Sequence, residues 1–116
     1  MNRTVTLTTL DHGPVTLPEP AWCTGHTGHK PECRVDLIHF GAEHSFAFEG
    51  EQLLIARLAQ SPFFEDGATG LYVEQTGYAR TLDHTRLRML AAALTVHAMH
   101  LRTLAGELAA IEEAGR

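Results

Sequence analysis

Between Trp22 and Gly41 the chain gathers the side chains that bind metal. Cys23, His26, His29, Cys33, Asp36 and His39 all fall within residues 23–39. Zinc takes thiolate and neutral imidazole into a four-coordinate, tetrahedral site. Cys23-x2-His26 is a chelating loop, and Gly25 inside it lets the backbone fold so that both side chains reach one ion. Gly28 and Pro31 then bend the chain towards Cys33, and His39 follows after a short helical turn carrying Asp36. Six candidates compete for four places. Thiolates are strong zinc donors, so Cys23 and Cys33 come first on chemistry, and His26 follows from its spacing. The fourth place falls to His29 or His39, while Asp36 suits an acceptor that orients a ligating ring.

The surroundings make the same demand. Residues 21–41 are rich in Cys, His, Gly and Pro, with aliphatic side chains only at Val35, Leu37 and Ile38 late in the stretch. Burial alone does not offset the entropy of ordering such a segment. A structural zinc supplies the constraint, and Trp22 is expected to pack over the loop. Two cysteines also allow a disulfide. The start, Met1-Asn2-Arg3-Thr4-Val5, lacks the apolar block of an export signal, so the expected compartment is the cytosol, where paired cysteines more often hold metal.

Catalysis would need an open zinc position and an acid or base, for which Glu32, Glu43 and His44 are candidates. The H-E-x-x-H of metalloproteases, the P-C-x-x-C half of the zinc deaminase signature, a phosphate-cradling glycine loop and a G-x-S-x-G elbow are all absent. A nucleic-acid-binding zinc knuckle would bring basic residues with it. Here the formal charge is −5, and Lys30 and Arg34 stand nearly alone around the loop. Arg80, Arg86, Arg88 and Arg102 read as a solvated helix face. The sequence therefore favours a non-catalytic, zinc-stabilised module that binds protein. A metal-dependent enzyme and a nucleic-acid-binding regulator stand as alternatives. His12, His44, His84 and His100 read as exposed or capping side chains.

The elements that must position the loop follow from periodicity. At 116 residues the chain is expected to form a single domain, 1–116, with no run apolar enough to cross a membrane. Residues 1–20 read as a β-hairpin: Thr4–Leu10 alternates, Asp11-His12-Gly13-Pro14 turns, and Val15–Leu17 returns until Pro18 and Pro20 end it. The metal loop occupies 21–41. Strands follow within 44–77: Ser45–Glu49 with Phe46 and Phe48 on one face, Leu53–Gln60, a run that also suits a short helix but is read as a strand, and Leu71–Gln75. A long helix occupies 81–114, with Thr81 as N-cap and Gly115 just beyond its last apolar position. The fold class is α+β: a small antiparallel sheet of four or five strands with a zinc-binding loop, covered by one long C-terminal helix.

That helix would run about 45 Å, longer than the breadth of a small domain. Leu87, Leu90, Leu94, His97, Leu101, Leu104, Leu108 and Ile111 alternate spacings of three and four. This is a coiled-coil seam, with His97 as a register-setting polar position; the helix length favours a homodimer through it, the alternative being a single amphipathic helix packed on its own sheet. Met89, Ala93, Val96 and Met99 form a second stripe suited to covering the sheet.

The pattern W-C-x2-H followed by R-x-D-x2-H-x-G resembles a family of short actinobacterial proteins of unknown function, abundant in Streptomyces-type genomes. The resemblance covers most of the chain in motif and element order. Its recurrent positions correspond here to Cys23, His26, Asp36 and His39, whereas Cys33 and His29 are not family features. The resemblance thus implies Asp36 and His39 as ligands and weighs against Cys33, and it carries no activity.

Overall fold

The computed structural model describes residues 3–115. Seven regular elements follow in order: strands β1 (Arg3–Thr9), β2 (Gly13–Glu19), β3 (His39–Phe40), β4 (His44–Phe48), β5 (Glu51–Gln60) and β6 (Thr69–Gln75), then helix α1 (His84–Ala114). A single 3₁₀ turn, Arg34–Asp36, interrupts the loop before β3. The α+β class is as the sequence predicts. The strands, however, divide into a two-stranded hairpin and a four-stranded sheet in which β5 pairs with β3, β4 and β6. By contact density the chain forms two compact units, Met1–Ala42 with Arg57–Leu71 and Glu43–Ala56 with Tyr72–Arg116.

In the first unit β1 and β2 pair antiparallel with Val5 opposite Leu17 and Leu7 opposite Val15. Alternation sends these four to one face. Leu7 and Leu17 are buried there with Leu37 from the metal loop, flanked by Val5, Val15 and Phe63. The strand β2 continues through Pro18 to Glu19, beyond the point where proline is expected to end it. The register explains why. Pro14, Thr16 and Pro18 share one parity, opposite Thr8, Thr6 and Thr4. At those pairs the N–H groups of β2 point away from β1, so proline costs the ladder no bond. The Thr6 and Thr16 hydroxyls meet across the same face at 2.7 Å.

In the second unit β4 and the first half of β5 form a hairpin, with Phe46 and Phe48 buried. Helix α1 spans 31 residues, about 46 Å at the α-helical rise. Its N-cap is Asp83 rather than Thr81: the carboxylate accepts the Arg86 N–H at 2.8 Å. Arg86 in turn forks onto Glu49, Nη2 to Oε1 at 2.6 Å and Nε to Oε2 at 2.9 Å. Asp83→Ala should therefore cost about 1 kcal/mol of stability, the usual value of a lost cap, read as a lowered urea midpoint at unchanged slope.

Along the helix the expected seam splits. His97 and Leu104 are buried, whereas Leu87 and Leu94 are exposed, as are Met89, Val96 and Met99 of the second stripe. His97 stacks on Phe46 of β4 at 4.7 Å between centroids, so part of the seam packs on the chain's own sheet. Burial, then the neighbouring His100, hold the His97 pKa below the ordinary 6.5. A histidine depressed in the folded state binds its proton more readily when unfolded. Its contribution is thus complete above about 6.5 and is lost as the pH falls from there through the lower folded value. Stability measured between pH 7.5 and 5 should decline on acidification, and His97→Phe should flatten that decline.

Candidate metal centre

All the donors of the candidate site lie in the first unit. Glu19 closes β2, Cys23 and His26 occupy the loop that follows, and His39 opens β3. Local hydrogen bonds set the loop. Cys23 N donates to the Pro20 carbonyl at 3.0 Å, and Thr24 places both its N–H (3.0 Å) and its hydroxyl (3.1 Å) on the carbonyl of Phe40. The second of these clamps the loop beside His39. Gly25 has φ +102°, a conformation that L side chains resist, and its N–H donates to the Cys23 sulfur at 3.4 Å. Gly41 is buried at the other end of the motif, where an added Cβ would meet Leu58 Cβ at 3.2 Å and the Trp22 carbonyl at 3.4 Å. Trp22 therefore packs against the end of β3.

One ligating atom from each of Glu19, Cys23, His26 and His39 lies within 4.8 Å of the others. The hub is Nε2 of His26. It stands 3.6 Å from Cys23 Sγ, 3.2 Å from His39 Nδ1 and 3.2 Å from Glu19 Oε1. Tetrahedral zinc with ordinary bond lengths separates two nitrogen or oxygen donors by about 3.3 Å and sulfur from nitrogen by about 3.6 Å. The three separations around His26 match edges of such a tetrahedron.

Hydrogen bonding alone does not account for the cluster. A ring nitrogen carries one proton or one lone pair, so Nε2 of His26 can satisfy one of its three neighbours. Glu19 Oε1 is buried without a hydrogen-bond partner. Leaving such groups unpaired is costly, whereas a cation satisfies the lone pairs together. A thiolate and a carboxylate balance a dipositive ion, and two neutral imidazoles complete the set.

The electrostatics fit the donor roles. Burial, with Glu19 adding to it, raises the Cys23 thiol pKa, and the Gly25 N–H opposes them. A metal ion reverses this by taking the thiolate directly. His39 is only 1 % exposed, and burial followed by the charge of His26 pushes its pKa down, against the pull of Glu19 and the Pro18 carbonyl. The neutral ring is the form of histidine that can ligate a metal.

The structure thus gathers Cys23, His26 and His39 from the six sequence candidates and leaves Cys33, Asp36 and His29 outside the cluster. Cys33 precedes the 3₁₀ turn as a free thiol, and Asp36 at the end of that turn is exposed. His29 directs Nε2 to the Thr8 carbonyl at 3.3 Å, its ring 6.4 Å from that of His26. Glu19 is the donor that sequence reasoning missed. Its signal was present: two residues after Leu17, it shares the inward face of β2 once the strand is allowed to run through Pro18.

A family model described as "Domain of unknown function (DUF6907)" matches residues 4–110. No curated protein and no solved structure matches the chain.

Proposed function

The chain belongs to the DUF6907 family, and we propose that it is a non-catalytic module whose first unit is held together by one structural zinc ion on Glu19, Cys23, His26 and His39. The observation that carries this reading is the crowding of three polar atoms around one imidazole nitrogen, with the Glu19 oxygen buried and without a hydrogen bond. Four protein donors fill a tetrahedron and leave no position for water, which is the pattern of structural rather than catalytic zinc. The helix completes the proposal. Its exposed face of Met89, Val96 and Met99, on the side opposite the exposed Leu87 and Leu94, is the surface through which two copies would associate or a protein partner would dock.

Metal analysis of the purified protein tests the first part, beside Cys23→Ser and His39→Ala. One zinc per chain, lost in both variants together with thermal stability, is the expected result. Zinc retained in both variants, or no metal in the wild type, would remove the proposal. Native mass in the same experiment reads the second part, where a doubled mass that Val96→Glu returns to the single-chain value is expected.

A further inference from the structure

The second unit carries another convergence of imidazoles. His100 on α1 and His44 on β4 bring Nε2 and Nδ1 to 3.3 Å, the spacing of two nitrogen donors on a tetrahedral ion, about 3.3 Å. They come from different elements, so the approach is set by the fold rather than by sequence proximity. His97 lies one helical turn before His100, its ring nearly parallel at 17° and 6.2 Å away. The three nitrogens do not all meet within ligand range as the first cluster does. Two donors therefore face one another while the third ring forms the wall behind them.

These rings line a groove of about 600 Å³ whose other walls include Phe46, Ala93 and Val96. His97 is buried, 8 % exposed, with Nε2 lacking any hydrogen-bond partner, while His100 is exposed and His44 half-buried. Between neutral rings, the His44–His100 contact holds one shared proton. It gives no reason for three imidazoles on one face, which repel one another once protonated. A cation between His44 and His100 would take the lone pairs of both rings in place of the shared proton. Imidazole donors without thiolate or carboxylate select the zinc, nickel and copper class over calcium and magnesium.

We propose that His44 and His100 form a second, open site for a divalent transition metal on the second unit, facing the groove lined by His97. With two protein donors, its remaining positions are open to water or to a ligand entering the groove. The site is therefore expected to bind more weakly than the four-donor centre and to exchange its ion freely.

Full-length zinc-loaded protein titrated with nickel(II), with zinc release followed in parallel, tests this. One further equivalent of nickel without zinc release is expected. His44→Ala and His100→Ala should each weaken that equivalent at least tenfold, while His84→Ala, which removes an exposed histidine of the same helix, should leave it unchanged. No additional equivalent, or one that both substitutions leave intact, would overturn the proposal. Equal weakening by His84→Ala would do the same by marking general histidine binding. The first centre is judged separately: if the protein carries no zinc there, the dependence of nickel binding on His44 and His100 still decides this site.

Discussion

His26→Ala should abolish zinc retention and leave a first unit that no longer unfolds cooperatively. The ring nitrogen removed is the one that touches all three other donors, at 3.6, 3.2 and 3.2 Å. Structural zinc in small domains contributes roughly 10–16 kcal/mol of apparent binding energy. The net stability of a whole domain is about 5–15 kcal/mol, so the loss exceeds what the remaining packing can offset. Removing the metal and removing its hub act on the same interaction, so their effects should not add. Thermal unfolding of wild type and variant with and without a strong chelator provides the check. The chelator should lower the wild-type transition sharply and leave His26→Ala where it already is. A variant that unfolds like the zinc-loaded wild type would contradict the assignment of His26 as hub.

Leu37→Ala should be the most damaging substitution outside the donors, at about 2–5 kcal/mol. Leu37 is 1 % exposed and meets Leu7 at 5 % and Leu17 at 3 %, so its loss opens a cavity in the one apolar cluster that the hairpin and the metal loop share. It lies two residues before His39, and the cavity should therefore also weaken metal retention. Val35, 44 % exposed in the same segment, is the control: Val35→Ala should fall within about 0.5 kcal/mol of wild type. Urea midpoints at fixed zinc concentration separate the two, and equal costs would mean that Leu37 is not a core residue.

The strands and the helix are legible because burial imposes a period on the sequence. Phe46 and Phe48 alternate in β4, and the apolar positions of α1 repeat at three and four. Periodicity names an inward face but not its neighbour, which is why the expected seam and the observed packing of α1 coincide at His97 and Leu104 and part at Leu87 and Leu94. The helix is capped at Asp83 rather than at the expected Thr81, and either residue type can cap a helix. Only the position of Arg86 decides it. For the site, Cys23-x2-His26 was readable because chelation at that spacing is local. His39 was not separable from His29 on the same ground, and Glu19 lay outside the candidate set. Each joins the cluster through strand geometry: Glu19 by the extension of β2, His39 by the pairing of β3 with β5. Cys33 has the better donor atom and the wrong place, since the 3₁₀ turn intervenes between it and β3.

The prolines of β2 also bear on how this protein survives at high concentration. A two-stranded ribbon has two free edges, and each is a template on which another chain can add a strand. At Pro14 and Pro18 the outward-facing backbone of β2 lacks its N–H groups, leaving Thr16 as the one outward donor between them. On the far side, β1 is met at its end by Glu32, whose carbonyl accepts the Leu10 N–H at 2.9 Å. The hairpin that carries Glu19 is thus guarded against edge-to-edge association by the prolines of its own second strand.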